Sequence, residues 1–528
     1  MKKIKVEKST YLDSISLMGI SKTIGEMAGV KVALVAMATD TNLLLLKESG
    51  FDPGEVGTAS ANDLVIAVEA RDRASLEAAF EMAERTVRGG TPPGGARATA
   101  PSGRAGAAPE TAGISGLEAA VSLRPEINLV LISVPGRFAA FEARRALRAG
   151  KHVMIFSDNV SIEDERALKG LAASKGLLLM GPDCGTAIIN GVGLGFVNNV
   201  PRGPVGIVAA SGTGAQEVSS ILARIGVGIS HIIGTGGRDV SDAVGGAMTL
   251  AGLRALVRDT ATRVLVVISK LPSPAVAHEI VGAAAASDKP SIIYFAGSGG
   301  TARRDGVVFA RTLTDTAMAA ATACGASPRR LLCEGADADG RLAAAARALP
   351  RSRKYLRGLF TGGTLAQEAV SLFAPRLGAV ATNMKLPNTE LLTDPAVSKG
   401  HTVVDLGDDA FTRGRAHPMI DQSLRLVRLA REMCDPGVGV VLLDIVLGYG
   451  CNPDPAGEIA RTLEAAPAAS AAHSRPAVIA SICGTAGDPQ SYDRQRHTLE
   501  TAGVMVAETN ATACEWVVGL LGRRRDER

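Results

Sequence analysis

The sequence predicts an α/β protein built from several doubly wound parallel-sheet domains. Short apolar runs of strand length alternate with helical runs along nearly the whole chain, which is typical of βαβ units. The composition combines 46% hydrophobic residues and 60 glycines with only 3% aromatic residues, and this suits layered α/β packing. Because 528 residues exceed what one domain ordinarily holds, we expect several cores.

The first predicted domain is a Rossmann-like domain over residues 1–200. Strand-like KKIKVEKS, helix-like SISLMGISKTIGEMAG and strand-like VKVALVAMAT and NDLVIAVEA open an alternation that continues to about Asn199. Such alternation predicts parallel strands. Residues 88–113 interrupt it with a Gly, Pro and Ala stretch that has almost no branched apolar residues, so we predict a disordered linker there.

Two further sheet domains are predicted downstream. Residues 201–330 contain the strands GPVGIVAA, GVGISHIIG, VLVVISK and PSIIYFAG, and residues 331–354 look like a helical connector. Residues 355–528 resume the alternation with LRGLFTGG, HTVVDLGDD, GVGVVLLDIVLGYG and PAVIASICG. An Ala-Gln-Glu string occurs at Ala215 and again at Ala366, which indicates a repeat of domain size.

The repeated element is a strand, a glycine turn and a helix start, written VAASGTGAQEV and LFTGGTLAQEA. Free N–H groups at a helix start attract phosphate or carboxylate, and glycine lets the backbone close on the anion. We expect the two copies to face each other across a cleft, although each turn could also be a helix cap alone. The anion-binding candidates are Ser211, Gly212, Thr213 and Gly214 in the first copy and Gly362, Gly363 and Thr364 in the second.

A third candidate anion turn, Gly448-Tyr449-Gly450, follows a strand that contains Asp444. Acid–base candidates are few, since the chain has only 7 histidines. His417, in GRAHPMID, follows a strand at the rim where open α/β sheets bind ligands, although a loop histidine beside a proline is often structural. His417 and Asp444 are therefore the two catalytic candidates.

Composition excludes several classes of protein. The net charge is +4, but the basic residues are scattered and aromatic residues are few, which argues against nucleic-acid binding. The 7 cysteines form no CxxC pair, so neither a zinc site nor a disulfide framework is expected. No apolar run approaches the roughly 20 residues that span a bilayer, and we expect a cytoplasmic protein.

These strings resemble the succinyl-CoA synthetase superfamily and, more closely, its FdrA branch. GPDCGTAIINGVGLGF and VGIVAASGTGAQE are similar to the α subunit, and VGVVLLDIVLGYG is similar to the β-subunit carboxy-terminal domain. The FdrA-type strings are DSISLM, RGLFTGGTLAQEA, HPMID and CGTAGDPQ. The resemblance implies a CoA-binding-like Rossmann domain at 1–200, an α-like ligase domain at 201–330 and a β-like ligase domain at 355–528, the last two flavodoxin-like.

The chain also departs from that superfamily. The loop that carries the superfamily's phosphoryl-accepting histidine is here SGGTARRDGVVFAR, with Val307 near that place, so no phosphohistidine cycle is expected. No stretch resembles an ATP-grasp domain. The first strand-to-helix turn, KSTYLDSISLM, has no glycine before Gly19, which argues against CoA binding. The expectation is that no cofactor is required.

The FdrA resemblance implies an oxamate carbamoyltransferase subunit that moves a carbamoyl group between oxalurate or oxamate and phosphate in anaerobic allantoin breakdown. Phosphate or carbamoyl phosphate would be a substrate. The implied partners are two further transferase subunits in an oligomer, with a carbamate kinase in the pathway. Two alternatives stay open: an NDP-forming acyl-CoA synthetase, or a non-catalytic scaffold subunit that binds anions or CoA.

Overall fold

The structure is a computed structural model that describes most of the chain. It covers residues 1–87, apart from residues 9, 11, 13, 26, 39–41, 44–45, 48, 58 and 61–62, and then residues 116–298, 302–304, 306–327, 335–412, 416–465 and 475–522. The predicted linker at 88–113 lies outside these residues. Two compact units are present: residues 1–116 with 409–416, and residues 117–408 with 417–528. Within the described ranges, none of the helices has the length and apolar character needed to cross a membrane.

The first unit contains a three-stranded antiparallel sheet with helices α1 and α2. The elements are β1 (Lys2–Glu7), α1 (Ser14–Gly25), β2 (Val30–Met37), β3 (Leu64–Ala70) and α2 (Arg73–Val87), with short helices at Pro53–Val56 and Asp409–Thr412. The strand order is β1-β3-β2, and β3 is antiparallel to both neighbours. The prediction of parallel strands in a single Rossmann-like domain is wrong here, because alternation along the chain does not determine which strand inserts between two others.

Helix α2 packs on the sheet of the first unit through one face. Leu76, Ala79, Phe80 and Ala83 are buried at the spacing of three and four residues that places side chains on one side of a helix. They join buried residues of β3 and α1 in one apolar cluster. The first unit therefore has its own core.

The second unit opens with a small parallel sheet. Its elements are α3 (Leu117–Leu123), β4 (Leu129–Ile132), α4 (Gly136–Arg148), β5 (His152–Ile155), α5 (Ile162–Ser174) and β6 (Leu179–Met180). The strand order is β4-β5-β6, with parallel pairing throughout. Ala139, Ala143 and Ala146 form a buried stripe on α4, and such small side chains let the helix approach the strands closely.

A flavodoxin-like sheet follows in the second unit. Its strands are β7 (Thr186–Ile189), β8 (Val192–Gly195), β9 (Arg202–Ala209), β10 (Ile229–Gly234), β11 (Val264–Ser269), β12 (Ser291–Phe295), β13 (Ala302–Arg304) and β14 (Val307–Phe309). Its helices are α6 (Gly212–Arg224), α7 (Ala247–Arg258), α8 (Pro274–Ala285) and α9 (Leu313–Ala323). The parallel strands lie in the order β10-β9-β11-β12-β14, so the direction of winding reverses between β9 and β11, where such sheets bind ligands. β7 and β8 pair antiparallel as a hairpin.

The last sheet is parallel throughout. Its strands are β15 (Tyr355–Phe360), β16 (Val380–Thr382), β17 (Glu390–Leu391), β18 (His401–Asp405), β19 (Val438–Val446), β20 (Ala477–Cys483) and β21 (Met505–Ala507), in the order β17-β16-β18-β15-β19-β20-β21. The helices are α10 (Gly335–Ala348), α11 (Gly363–Leu377), α12 (Ser423–Cys434), α13 (Pro455–Ala465), α14 (Tyr492–Thr501) and α15 (Asn510–Gly522). The predicted fold class, α/β with several doubly wound parallel sheets, is confirmed.

The last two sheets of the second unit share one apolar core. Val218 of α6 and Ala317 of α9 belong to the same buried cluster as Leu365 of α11 and Val517 of α15. Helices from both halves therefore pack together between the sheets. This packing brings the carboxyl end of β9 close to that of β15, where the two glycine turns lie.

Candidate anion-binding site

The two repeated glycine turns are in contact. α6 starts just after β9, and α11 starts just after β15. The hydroxyl oxygens of Ser211 and Thr364 lie 2.6 Å apart and share a hydrogen bond. A Cβ on Gly362 would lie 2.9 Å from Cγ2 of Thr213, so this approach needs glycine at position 362. The helix N-termini of the two copies meet at one place, as the repeat predicts.

Both helices keep backbone N–H groups without an acceptor at this place. In α6, no described residue accepts a hydrogen bond from the N–H of Gly212 or Thr213. In α11, the same holds for the N–H of Gly363 and Thr364. Because both helix dipoles put partial positive charge at their N-termini, these four N–H groups suit a bound anion such as phosphate.

Asp444 holds the turn before α11 from inside the protein. Its fully buried carboxylate accepts hydrogen bonds from the N–H groups of Thr361 and Gly362, each at 2.8 Å, and from Nη1 of Arg425 at 3.1 Å. Burial raises the pKa of Asp444, and the Arg425 charge opposes this rise. A carboxylate enclosed by protein donors cannot reach a substrate. Asp444 therefore positions the turn, and the geometry does not support the catalytic role predicted for it.

His417 packs beside the same turn but is poorly arranged to act as a base. Its Nε2 would lie 2.7 Å from a Cβ on Gly407. Nδ1 accepts a hydrogen bond from the N–H of Met419 at 3.2 Å, which places the proton of the neutral ring on Nε2. Burial lowers the pKa of His417 to about 4, so the ring is neutral at physiological pH. The Nε2 atom can donate a proton in a hydrogen bond but has no lone pair to accept one.

The third glycine turn, Gly448-Tyr449-Gly450, is used in packing. The N–H of Gly448 donates to Oε1 of Gln490 at 3.0 Å, and the N–H of Tyr449 donates to the carbonyl of Val197 at 2.8 Å. The next helix, α13, begins only at Pro455, so the turn does not form a helix N-terminus. The geometry therefore does not support the predicted anion site at this turn.

The repeated glutamates have a role that sequence reasoning missed. Glu217 on α6 accepts a hydrogen bond from the N–H of Asn510, the first residue of α15, at 3.1 Å. Glu368 on α11 accepts one from the N–H of Leu313, the first residue of α9, at 2.6 Å, and another from Nδ2 of Asn510 at 2.7 Å. Each half therefore caps a helix of the other half. The available signal was the glutamate that both Ala-Gln-Glu strings share.

Asp405 and Lys270 also border the turns, and sequence reasoning did not select them. Asp405 ends β18, and its Oδ2 would lie 2.5 Å from a Cβ on Gly363. Burial raises the pKa of Asp405 to about 7, although the N–H of Gly407 and the charge of Lys270 act to lower it. The available signal was an acid at the end of the apolar strand in HTVVDLGDD. The site therefore combines open N–H groups with one acidic and one positively charged side chain.

Ser211→Ala is expected to destabilise the second unit more than the matched change Ser161→Ala. Both serines cap a helix, since Ser211 Oγ accepts from the N–H of Gly214 at 2.9 Å and Ser161 Oγ from that of Asp164 at 3.1 Å. Each change removes a cap worth about 1 kcal/mol. Ser211→Ala also removes the buried bond to Thr364, worth about 1 kcal/mol more, whereas the second bond of Ser161, which its Oγ donates to Oδ2 of Asp164 at 3.0 Å, is exposed. Denaturant unfolding measures the difference, and equal losses would contradict the contact between the turns.

Family models match three stretches of the chain. A model described as "CoA binding domain" matches residues 202–297, and one described as "CoA-ligase" matches residues 359–519. A model described as "AllF, heavy metal-associated domain" matches residues 1–101. The fold, the facing turns and these matches define a succinyl-CoA-synthetase-like protein of the CoA-binding and CoA-ligase type.

A full-length relative identifies the family. The chain is 42% identical over 528 residues to the Escherichia coli (strain K12) protein named "Uncharacterized protein YahF", covering 99% of this chain and 98% of that one. The chain therefore belongs to the FdrA-type family, in which α-like and β-carboxy-terminal-like parts of succinyl-CoA synthetase are fused.

More distant relatives match only parts of the chain. It is 29% identical over 150 residues to the succinate–CoA ligase [ADP-forming] subunit alpha 2 of Archaeoglobus fulgidus, covering 28% of this chain and 51% of that subunit. It is 28% identical over 168 residues to the malate–CoA ligase subunit alpha of Methylorubrum extorquens, covering 30% and 55%. The dinucleotide forming acetyl-coenzyme A synthetase 1 of Ca. Korarchaeum cryptofilum is 16% identical over 75% of this chain and 83% of that chain, with a TM-score of 0.28.

Two expectations from the sequence are wrong. The carbamoyltransferase expectation is overturned because the family model over residues 359–519 is described as CoA-ligase, and the more distant curated relatives are CoA ligase subunits. The expectation that CoA is not involved is overturned by the CoA-binding match at residues 202–297. That error came from the glycine-poor turn in KSTYLDSISLM. This turn lies in the first unit, whose match is a different domain, so its glycine content has no bearing on CoA.

The residues of the first unit do not fit the heavy metal that its matching domain is named for. Soft metals bind through thiolate or imidazole, but the first histidine of the chain is His152 and the first cysteine is Cys184. Both lie beyond the match at residues 1–101. Across the described residues, no group of three or more His, Cys, Asp or Glu side chains is arranged to hold a metal ion. No metal-dependent step is therefore assigned to this unit.

Proposed function

We propose that the chain is an acyl-CoA ligase of the NDP-forming, succinyl-CoA-synthetase type that transfers an acyl group between CoA and phosphate at the two facing turns. The observation that carries this proposal is the set of open N–H groups on Gly212, Thr213, Gly363 and Thr364. Preorganised N–H donors stabilise the charge that develops on a departing phosphate, and one such donor is worth roughly 2.7–4 kcal/mol in comparable oxyanion sites.

The nucleotide-dependent step belongs, in this proposal, to a partner chain in an oligomer. The superfamily passes a phosphoryl group through a histidine, but this chain has Val307 near that place. Val307 is fully buried in β14, and an apolar side chain cannot accept a phosphoryl group. The chain described here then performs acyl transfer on a substrate that arrives already activated, such as an acyl phosphate.

Thr213→Asp is expected to weaken phosphate binding about tenfold or more, because a carboxylate then occupies the N-terminus of α6 and repels the anion. Ala275→Asp is the matched control, since Ala275 is exposed at the second position of α8 in the same sheet domain. Isothermal titration calorimetry of each full-length variant with inorganic phosphate and with CoA measures the two affinities. Equal phosphate affinity in the two variants would exclude α6 as the phosphate site.

The replacement of the histidine by Val307 favours a second candidate, a CoA-binding subunit without turnover. Phosphate-dependent cleavage of acyl-CoA by the full chain separates the two functions. Release of free CoA from acetyl-CoA or succinyl-CoA that depends on phosphate supports the ligase. CoA binding with no cleavage, alone or with added partner proteins, supports the binding subunit.

A further inference from the structure

We propose that Asp405 is the general base that takes the proton from the CoA thiol during acyl transfer. The inference rests on the proposed function and names the residue that would act at that site. Asp405 is half-buried at the carboxyl end of β18, next to the N-terminus of α11. It is the acid of the site that is neither capping a helix nor enclosed by donors, unlike Asp444 and Glu368.

The carboxyl group of Asp405 has one fixed oxygen and one open oxygen. Oδ1 accepts a hydrogen bond from the N–H of Gly407 at 2.9 Å. The backbone on both sides is held by Asn383, whose amide exchanges hydrogen bonds of 2.9 Å with the N–H and the carbonyl of Asp405. Among the described residues, none donates a hydrogen bond to Oδ2. A general base needs this combination. The fixed oxygen sets the orientation of the carboxyl group, and the open oxygen keeps a lone pair that can accept a proton.

Oδ2 is also close to the open N–H groups. It would lie 2.5 Å from a Cβ on Gly363, and the preceding Gly362 approaches Thr213 of α6 so closely that a Cβ there would lie 2.9 Å from Cγ2. The open oxygen and the N-terminus of α6 therefore lie against two consecutive glycines, and a side chain at either position would clash. In this proposal, a phosphate on the N–H groups lies next to a thiol on Oδ2.

The charges around Asp405 favour a carboxyl group that exchanges a proton near neutral pH. Lys270 follows β11 and acts to lower its pKa, whereas Asp408 and Asp444 act to raise it, and burial has the largest effect. The nearby His417 ring is neutral, because burial lowers its pKa to about 4. An ordinary exposed aspartate is too weak a base for a thiol with a pKa of about 8.5, and this environment reduces the difference between the two pKa values.

The thiol proton moves to Oδ2 of Asp405 while the sulfur lone pair forms a bond to the carbonyl carbon of an acyl phosphate. The bond between that carbon and the phosphate oxygen breaks, and phosphate leaves with the electron pair onto the N–H groups of α6 and α11. In the reverse direction, protonated Asp405 returns the proton to the departing thiolate, and no oxidant or reductant is needed.

The test measures how phosphate-dependent cleavage of succinyl-CoA and of acetyl-CoA depends on pH. It compares the unchanged full chain with three full-length variants. Asp405→Asn keeps an oxygen for the N–H of Gly407 and is expected to lower kcat about 100-fold or more, as for loss of a general acid–base group, with little change in KM for acyl-CoA. Asp408→Asn is expected to keep activity and to move the pH profile to lower pH, since it removes a charge that raises the pKa of Asp405. Asp421→Asn is the exposed control with no expected effect.

The outcomes separate the inference from the proposed function. A large loss of kcat in Asp405→Asn, with a normal thermal unfolding curve and partial rescue in Asp405→Glu, supports the base. Activity of Asp405→Asn within about threefold of the unchanged chain overturns it and leaves the ligase intact. Absence of cleavage by the unchanged chain, despite measured CoA binding, overturns the proposed ligase function and this inference together.

Discussion

Replacing Asp444 by alanine is expected to lower the free energy of unfolding of the second unit by about 3–5 kcal/mol, the range for breaking a buried ion pair. The change removes the acceptor of the N–H groups of Thr361 and Gly362 and leaves the fully buried Arg425 without its counter-charge. Burial already lowers the pKa of Arg425, so an unpaired guanidinium there is costly. Denaturant unfolding of the full chain measures the loss.

Glu390→Ala is the control for Asp444→Ala. Glu390 forms an exposed ion pair with Lys399 in the same sheet domain, and its loss is expected to cost less than about 1 kcal/mol. The double change Asp444→Ala with Arg425→Met should recover part of the stability, because it removes the unpaired charge. If Asp444→Ala costs no more than Glu390→Ala, the carboxylate does not hold the turn.

Glu368→Gln is expected to remove a pH dependence of stability that the unchanged chain has near neutral pH. Burial raises the pKa of Glu368 to about 7 in the folded chain, and the nearby Glu217 adds to this rise, although hydrogen bonds from Leu313 and Asn510 oppose it. The folded pKa lies above the unfolded one, so the stabilisation is fully present below the unfolded pKa and is lost as pH rises through about 7. Each pH unit in which only the unfolded chain is ionised costs about 1.4 kcal/mol.

The difference in free energy of unfolding between the unchanged chain and Glu368→Gln, followed over pH, separates the effect of Glu368 from that of other titrating groups. Between pH 5 and pH 8, the unchanged chain should lose roughly 2 kcal/mol more stability than Glu368→Gln does. Glu515→Gln, an exposed change on α15, should leave the dependence unaltered. Parallel pH curves for the unchanged chain and Glu368→Gln would show that Glu368 is ionised in the folded protein throughout this range.

The reciprocal caps also explain the repeat in the sequence. A duplicated strand, turn and helix could have supplied two independent phosphate sites. Instead, the open N–H groups of the two copies meet at Ser211 and Thr364, and Glu217 and Glu368 each reach across to the other half. The two copies therefore form one site and one interface, and a change in either half is expected to affect both.

Local patterns were enough to predict much of this protein. Alternating strand and helix runs predicted the α/β class, since side-chain periodicity follows directly from the geometry of each element. The glycine turns at 211–214 and 362–364 predicted two helix N-termini, because free N–H groups are a property of any helix start. The resemblance to the FdrA family also came from contiguous strings, and the full-length match to YahF confirms it.

Contacts between residues far apart in sequence could be decided only by the tertiary structure. Asp444 reaches the turn at Thr361 across 83 residues, and Glu217 reaches Asn510 across 293. No local pattern distinguishes a carboxylate that binds its own backbone from one that meets a substrate, so Asp444 was selected and Asp405 was missed. The antiparallel sheet of the first unit was missed because strand pairing also depends on contacts between residues far apart in sequence. Sequence sets which elements form, whereas packing decides which strands pair and which N–H groups stay open for an anion.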